Sequence, residues 1–440
     1  MDQARRSFFK VAAATGAATA IGPLGLQADQ TTPLLPKSNG KRVVVIGGGF
    51  GGLSAAKTLR QKDKSIEVVV LEKRPNFISC PYSNGWVGGI VDYEELHHDA
   101  FAPAQKYGYK LVQTTVTGID RAARTVKTAN GSVGYDYLIL SPGIRYDYAP
   151  YFGSDTAKAE AVYQSAPPAL QPGNEQLALV RQLRAVKGGN FVIVIPEGVF
   201  RCPPAPYERA CMVAAWYKKQ NIKGKVIVID PREKPLAKAE GFLHSFKTLY
   251  PDTIEYIHSA KFKDIDLDKK IVYAERFNKE KADFEPVSFD YAAANVIPAV
   301  RASSLIGEAG LQTHAGGWAK LSGPSHRSAN DERVYVIGDS QGEFPYPKSG
   351  QMANAQAKVA AAHIAARLAG KPLDEFALLP FNVCYSLIGR DPATAIVVFH
   401  DVSVQEGKIK VTARDTQVAD EATGKATTDW YRGIIADIFL

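Results

Sequence analysis

The sequence predicts an α/β fold of two doubly wound units, each built around a mainly parallel sheet, followed by a smaller C-terminal α+β unit. Short apolar runs at 42–46 (RVVVI) and 190–195 (NFVIVI) are each followed by a turn and a helical segment. This alternation is typical of parallel strands joined by crossover helices. Beyond residue 370 the alternation ends, and strand-like runs at 395–399 (AIVVF) and 409–411 (IKV) replace it.

Length and composition fit a globular protein of several domains. The chain has 440 residues, of which 45% are hydrophobic and 22% charged, so two or three domains with buried cores are expected. The formal charge is +8, but no Lys/Arg block alternates with aromatic residues, which argues against nucleic-acid binding. Because no run of eighteen or so strongly apolar residues occurs, we predict no transmembrane segment.

The first residues predict export. Arg5 and Arg6 are followed by Ser-Phe-Phe-Lys, then by an Ala/Gly-rich apolar stretch at 11–26 and a small residue, Ala28. A basic region, a modest apolar region and a small residue are typical of a signal peptide. The arginine pair indicates the twin-arginine type, and hence a periplasmic protein. We therefore predict a signal peptide at 1–28 and a polar linker at 29–40, the alternative being an amphipathic or unstructured N-terminus.

The first doubly wound unit carries a dinucleotide-binding motif. A strand at 42–46 leads into Gly-Gly-Gly-Phe-Gly-Gly at 47–52, which satisfies GxGxxG; a helix at 53–61 and a second strand at 66–71 follow. In such motifs one glycine forms the tight turn, the next lets the backbone approach a pyrophosphate, and the third lets helix and strand pack closely. An acid after the second strand binds ribose hydroxyls. The predicted site comprises Gly47, Gly49, Phe50, Gly51, Gly52 and Glu72.

Two further segments favour FAD over NAD as the ligand. A strand at 334–337 ends in Gly338 and Asp339, ahead of a strongly helical run at 350–368. This segment resembles the second FAD motif of flavoproteins with two dinucleotide-binding domains, in which the aspartate binds the ribityl chain. Ser141 and Gly143 flank a proline in a turn that resembles the one such enzymes place against the same cofactor.

The second unit lacks a nicotinamide motif. Its first strand runs into PEGVFRCPP at 196–204, which has no glycines spaced for a pyrophosphate, and its prolines remove backbone donors. A helix at 207–219 and a strand at 225–230 are expected to follow. We therefore predict an FAD-binding domain at 41–160 and 290–370, a second Rossmann-like domain at 161–289, and an interface domain at 371–440.

Five segments carry a resemblance to a known family: FISCPYSNGWVGG at 77–89, FRCPPAPYER at 200–209, VIGD at 336–339, PKSG at 347–350 and NVCYS at 382–386. From about Lys41 to the C-terminus the chain resembles the flavoprotein subunit of flavocytochrome c sulfide dehydrogenase, a relative of sulfide:quinone oxidoreductase and the pyridine nucleotide-disulfide reductases. The resemblance implies a glutathione-reductase-like fold and FAD-dependent oxidation of sulfide. It also implies a c-type cytochrome partner; since this sequence has no CxxCH motif, the haem would lie on a separate chain.

The same resemblance implies roles for five residues. Cys80 matches the cysteine bonded to the flavin 8α-methyl group, and Cys202 and Cys384 match the pair that forms a redox-active disulfide beside the isoalloxazine. Glu208 matches a candidate proton acceptor, and Lys348 lies in the loop that meets the flavin ring. From the residues alone, Cys202–Cys384 could equally be a structural disulfide, Cys80 a buried free thiol, and Glu208 an acid favoured by a helix dipole.

Other expectations concern the ionisation of Cys202 and the places of Cys211 and two histidines. Because Cys202 precedes a predicted helix, we expect its pKa to be lowered. Cys211 is expected in the core and the pair His97-His98 at the surface; no zinc or haem motif is found. Two alternative functions stay open: a sulfide:quinone oxidoreductase docked to the membrane through a C-terminal amphipathic surface, and a non-enzymatic flavoprotein that serves a sulfur-oxidation complex.

Overall fold

The computed structural model describes residues 32–372 and 374–440. The predicted signal peptide at 1–28 lies outside these residues, as does the start of the linker. The rest of the linker is held against a strand: the backbone N–H groups of Leu34 and Ser132 donate to the carbonyls of Ser132 and Thr32, each at 2.8 Å. Within the described residues, no helix is both long and apolar enough to cross a bilayer.

The first unit is built on a six-stranded sheet whose long strands are all parallel. Its strands, in spatial order, are Arg327–Ser328, Asp331–Val336, Tyr137–Leu140, Arg42–Ile46, Glu67–Glu72 and Lys110–Gln113. The central strand Arg42–Ile46 has the predicted bounds and is buried throughout, because helices cover both faces of such a sheet. Helices Phe50–Lys62 and Gly350–Leu368 pack against each other beside it.

The second unit contains a four-stranded parallel sheet. Its strands, in spatial order, are Ile254–Ile257, Val226–Ile229, Phe191–Val194 and Ala293–Val296, and its helices are Asn174–Ala185, Ala205–Gln220 and Ala239–Leu249. Near the predicted domain boundary at 290 the chain forms two strands, Asp283–Asp290 and Ala293–Val296. Because the latter pairs with Phe191–Val194, residues 293–296 belong to the second sheet, and the predicted boundary at 290 falls too early.

Smaller antiparallel elements connect and flank the two parallel sheets. Two three-stranded sheets are formed by Val116–Asp120, Thr125–Thr128 and Gly131–Gly134, and by Ala260–Asp266, Ile271–Asn278 and Asp283–Asp290. Two strand pairs are Ile144–Asp147 with Ala299–Ala302 and Phe77–Ile78 with His97–His98. The shorter helices are Ser83–Gly88, Phe101–Tyr107, Ala149–Phe152, Thr156–Ser165 and Leu305–Glu308, and 3₁₀ turns span Tyr93–Leu96, Ala315–Gly317 and Gly338–Ser340.

The C-terminal unit covers the junction of the other two. Its strands Asn382–Arg390, Ala393–Gln405 and Lys408–Asp415 form an antiparallel sheet, and helix Glu421–Phe439 packs on the middle strand. Strand Asn382–Arg390 also packs against helix Ala205–Gln220 of the second unit. This contact brings Cys384 to the segment that carries Cys202. The C-terminal helix buries Ile438 in the core of the first unit, so its apolar face is used within the fold.

Candidate active site

A cavity of about 360 Å³ lies at the carboxyl ends of the first parallel sheet, where open α/β sheets bind ligands. All the residues predicted for the cofactor site line it except Gly52 and Lys348. The lining residues predicted from the sequence are Gly47, Gly49, Phe50, Gly51, Glu72, Cys80, Ser141, Gly143, Gly338 and Asp339.

Each of the three motif positions requires glycine for a different physical reason. A Cβ at Gly52 would lie 1.7 Å from the carbonyl oxygen of Gly47, so this position permits the helix to pack on the turn. Gly47 has a φ of +102° and would place a Cβ 2.3 Å from the Ser141 carbonyl oxygen. A Cβ at Gly49 would meet no atom of residues 32–372 or 374–440 within 4 Å. It would enter the cavity, where a pyrophosphate needs the backbone to be bare.

The acidic residues of this cavity fit the sugar parts of FAD. Glu72 Oε2 accepts from Gly48 N at 2.5 Å and Oε1 from Arg74 Nε at 3.0 Å; although burial opposes it, these donors lower the pKa of Glu72. Asp339 Oδ2 lies 3.2 Å from Arg201 Nε, whereas its buried Oδ1 has no hydrogen-bond partner among the residues that the structure describes. A buried unpaired acceptor suits a ligand hydroxyl. The residues present therefore fit FAD.

A second cavity, of about 60 Å³, adjoins the first and shares Cys80, Arg201, Ser349 and Gly350 with it. Its wall brings together the three predicted catalytic residues, Cys202, Cys384 and Glu208. The turn after strand Phe191–Val194 supplies Cys202, the following helix supplies Glu208, and the C-terminal sheet supplies Cys384. Two segments far apart in sequence, one with Cys202 and Glu208 and the other with Cys384, thus meet at one small cavity.

All four cysteines are free thiols in the structure. Cys202 has a φ of +51°, and its N–H donates to the carbonyl of Lys348 at 2.8 Å. The expected lowering of its pKa is wrong: burial raises the pKa of Cys202, and nearby Cys384 and Glu208 raise it further. Desolvation of a thiolate here outweighs the helix N-terminus. Burial also raises the pKa of Cys384, against the opposing charge of Lys238.

Glu208 is held in the first turn of helix Ala205–Gln220. Asn84 Nδ2 donates to its Oε2 at 2.9 Å, and Leu387 N donates to its Oε1 at 2.8 Å. Burial raises the pKa of Glu208, although both of these donors oppose the shift. A carboxyl with a raised pKa beside two thiols is placed to exchange protons with them.

Cys80 lies on the wall that the two cavities share. Gln176 Nε2 approaches its sulfur at 3.5 Å, and the sulfur faces the Leu170 carbonyl at 3.6 Å. Burial raises the pKa of the Cys80 thiol, while the charge of Arg201 lowers it.

Lys348 does not line either cavity. Its amino group donates to the carbonyls of Asp339 at 3.0 Å and Gln341 at 2.7 Å, and lies 4.0 Å from the ring centre of Trp318. Burial lowers the pKa of Lys348 to about 8, against the opposing effect of Asp339. The side chain holds the loop behind the cavity, and its contact with the cofactor stays a prediction.

The remaining cysteine and histidines are partly as expected. Cys211 is fully buried in the core, as predicted. His97 is exposed, but His98 is half-buried, with its Nε2 3.1 Å from the hydroxyl of Tyr431. The surface interpretation therefore holds for His97 alone.

Sequence reasoning missed two cations of the site. Arg201 lines both cavities and pairs with Asp339; its place beside Cys202 in FRCPP was the available signal. Lys238 is buried, and its amino group contacts the strand that carries Cys384. The sequence around Lys238, PREKPLAKAE, gives no signal that distinguishes this lysine from its neighbours.

In the second unit, Asp230 follows strand Val226–Ile229 much as Glu72 ends its own strand. Asp230 is fully buried, and its carboxylate accepts from Tyr207 at 2.5 Å, Tyr256 at 2.9 Å and Arg232 Nη1 at 3.1 Å. The carboxylate that corresponds in position to Glu72 is therefore engaged by side chains of the second unit itself.

Family models match three parts of the chain. Residues 176–288 match the central region of the flavoprotein chain of flavocytochrome c sulfide dehydrogenase, and residues 379–439 match the flavin-binding region of the same enzyme. Residues 41–192 match the pyridine nucleotide-disulphide oxidoreductases.

Named relatives agree with these matches. The flavoprotein chain of flavocytochrome c sulfide dehydrogenase from Chlorobaculum thiosulfatiphilum is 59% identical over 44 residues, which are 10% of this chain and 92% of that relative. The sulfide-quinone reductase of Aquifex aeolicus is 28% identical over 240 residues, 52% of this chain. The matched part spans only 54% of that reductase.

Solved structures share the fold. The sulfide:quinone oxidoreductase of Aquifex aeolicus matches with a TM-score of 0.68 at 19% identity, over 91% of both chains. An NAD-dependent persulfide reductase from A. fulgidus matches with a TM-score of 0.62 at 19% identity, over 90% of this chain and 77% of the reductase. The glutathione-reductase-like fold is confirmed. Taken with the family models and the Chlorobaculum relative, the sheets and the cavity show that the chain belongs to the family of the flavoprotein chain of flavocytochrome c sulfide dehydrogenase.

Proposed function

We propose that this flavoprotein oxidises sulfide through a redox disulfide between Cys202 and Cys384, next to FAD in the larger cavity. The observation that carries the proposal is that both cysteines and Glu208 line the smaller cavity, which shares a wall with the larger one. A volume of about 60 Å³ suits hydrosulfide far better than a large organic thiol. Family membership supports the same substrate.

The chemistry follows from thiol–disulfide exchange. Hydrosulfide attacks one sulfur of a Cys202–Cys384 disulfide; that S–S bond breaks, a new S–S bond forms, and the other cysteine leaves as a thiolate. Bound FAD supplies a two-electron acceptor for the sulfur atoms. Glu208 accepts a proton from the persulfide or thiol, since its carboxylate lies in the same wall.

A c-type cytochrome on a separate chain is the proposed electron acceptor. The chain has no CxxCH motif, and the second unit uses Asp230 internally, where a nicotinamide cofactor would need it. Electrons then leave to a different carrier, and the family's own description as a flavocytochrome favours haem. A periplasmic location through a twin-arginine signal agrees with such a partner and remains a proposal from residues 1–28.

Covalent attachment of the flavin through Cys80 is part of the proposal. Among the residues that line the two cavities, Cys80 is the cysteine that they share. A thioether there would fix the cofactor between the sugar-binding acids and the reactive sulfurs. Unfolding the purified protein in acid tests the bond, because covalently held flavin stays with the protein pellet.

The function is tested by anaerobic titration with sulfide while flavin absorbance is followed. We expect sulfide to bleach the flavin in the wild type and in the core variant Cys211→Ala, a matched control. Bleaching should be lost in Cys202→Ser and Cys384→Ser. Unchanged bleaching in Cys384→Ser would remove the disulfide from the mechanism, and no bleaching in the wild type would favour a non-enzymatic flavoprotein.

Quinone is the second candidate acceptor, because the fold matches a sulfide:quinone oxidoreductase over 91% of both chains. Sulfide-reduced protein is mixed with cytochrome c or with a short-chain quinone in detergent micelles. Rapid reoxidation by cytochrome c supports the proposal. Reoxidation by quinone alone would replace the acceptor without changing the sulfur chemistry.

A further inference from the structure

Lys238 places a buried ammonium group against the strand that carries Cys384. The residue is 3% exposed and precedes helix Ala239–Leu249 in a left-handed conformation, with a φ of +53°. Its Nζ donates to Ser386 Oγ at 2.6 Å and to the Cys384 carbonyl at 3.0 Å, and lies 3.9 Å from Cys384 Sγ. All three contacts are to strand Asn382–Arg390.

No carboxylate in the described part of the chain lies within ion-pair distance of this ammonium group. A buried charge without a counter-charge is costly. The charge of Lys238 acts on three ionisable groups in the wall of the small cavity, Cys384, Glu208 and Cys202. Of the three, Cys384 has the atom in direct contact with Nζ.

Other charges around Cys384 come from several elements. Glu208, on the helix opposite, disfavours a thiolate at Cys384. Cys202, across the cavity, would repel a second thiolate. His400, on the adjacent strand, is itself influenced by Lys238. Arg201 favours a thiolate at Cys202 rather than Cys384, but its own guanidinium is paired with Asp339.

We infer that Lys238 stabilises Cys384 as the thiolate and so directs hydrosulfide to the sulfur of Cys202. This inference rests on the proposed sulfur chemistry for its consequence in turnover. The step is balanced: HS⁻ bonds to Cys202 Sγ, the Cys202–Cys384 bond breaks, and its electron pair goes to Cys384 Sγ. The products are a persulfide on Cys202 and a thiolate on Cys384 beside the ammonium.

The first test measures thiol ionisation in the reduced holoenzyme and needs no sulfide. Iodoacetamide alkylates thiolates, and peptide mass spectrometry gives the rate at each cysteine as a function of pH. In the wild type, Cys384 should react with a lower pH midpoint than Cys202. In Lys238→Met the Cys384 midpoint should rise by about one to three pH units, the usual effect of an opposite charge at this distance.

Two variants control the comparison. Lys238→Arg keeps the charge and should keep the Cys384 midpoint near the wild-type value. Lys234→Met removes an exposed charge from the same loop, one that pairs with Glu240, and should change nothing. An unchanged midpoint in a folded, flavin-loaded Lys238→Met would overturn the inference. So would a wild type in which Cys202 ionises first, a result that needs no variant to fold.

The second test locates the persulfide. A brief pulse of sulfide on the oxidised wild type, followed by alkylation, should give the alkylated persulfide on Cys202. A persulfide on Cys384 overturns the inference even if sulfide is oxidised. If sulfide forms no persulfide while Lys238→Met still shifts the Cys384 midpoint, the proposed function fails and the effect of Lys238 on the thiol stands.

Discussion

The glycine turn gives a prediction whose size follows directly from distances. Gly49→Ala and Gly52→Ala each add one methyl group to the GxGxxG segment, but the two methyl groups meet different surroundings. At Gly52 the methyl carbon would lie 1.7 Å from the Gly47 carbonyl oxygen, whereas at Gly49 it meets no atom within 4 Å and enters the cavity. Gly52→Ala should therefore damage the fold, and Gly49→Ala should damage cofactor binding.

The magnitudes differ accordingly. Ordinary carbon–oxygen contact needs more than 3 Å, so Gly52→Ala must displace backbone by more than an ångström, and we expect a loss of about 3 kcal/mol or more in the free energy of unfolding. Gly49 has an extended backbone (φ −85°) that alanine tolerates. The flavin-free form of Gly49→Ala should stay within about 0.5 kcal/mol of the flavin-free wild type, while flavin affinity falls at least about tenfold.

The assay compares flavin content with stability. Flavin absorbance per mole of protein gives occupancy, and urea unfolding of the flavin-free fraction gives stability without the contribution of bound ligand. Gly433→Ala is the control, because Gly433 lies in helix Glu421–Phe439 with no atom near an added Cβ. It should gain about 0.5–1 kcal/mol. Full flavin content in Gly49→Ala would refute the assignment of this turn to the pyrophosphate.

Three further predictions concern Glu208 and Cys80 in the cavity walls and Asp230 in the second unit. In Glu208→Gln, flavin bleaching by sulfide should slow by about 10²-fold, and its rate should lose its dependence on pH. The reason is that wild-type Glu208, whose pKa is raised, stops accepting protons as the pH falls through that pKa. Stopped-flow absorbance measured across a range of pH checks this. In Cys80→Ser, acid precipitation should release all flavin into the supernatant, and retention in the pellet would exclude a Cys80 bond. Asp230→Asn leaves Arg232 unpaired beside two tyrosines and should cost about 3–5 kcal/mol in urea unfolding, against about 1 kcal/mol for Tyr207→Phe.

The same raised pKa has a consequence for stability. Between the ordinary pKa of a glutamate and the raised pKa of Glu208, the folded chain holds a proton that the unfolded chain has released. Stability therefore falls as pH rises through this window, and Glu208→Gln should flatten that part of the profile. The substitution also leaves one donor, Asn84 or Leu387 N–H, facing an amide, a separate and pH-independent loss of about 1–3 kcal/mol.

Local features of the fold were predictable because their causes are local. Strand Arg42–Ile46 and helix Gly350–Leu368 have the predicted bounds, since an apolar run and an alanine-rich run each specify one structure. The glycine spacing identified the turn for the same reason. The boundary at 290 failed because the strands on either side of Ala292 join different sheets, and pairing with a distant partner leaves no mark in a short apolar run.

The cation beside Cys384 was not predictable. Lys238 and Cys384 are 146 residues apart, and nothing in the residues next to Lys238 distinguishes it from the exposed Lys234. Lys238 contacts the strand of Cys384 only because the C-terminal sheet packs on the second unit. The error over Cys202 has a similar cause: a position before a helix is visible in sequence, but the desolvation that raises its pKa is not.

The two parallel sheets show how one architecture supports two different uses. After strand Arg42–Ile46 the chain makes a glycine turn that leaves room for a ligand, and Glu72 binds that turn. After strand Phe191–Val194 the chain instead makes a proline-rich turn, which carries Arg201 to Asp339 and Cys202 to the small cavity. Because this turn has no glycines spaced for a pyrophosphate, it can approach the cavity of the neighbouring sheet, and in this way the second unit brings Arg201 and the sulfur of Cys202 to that cavity.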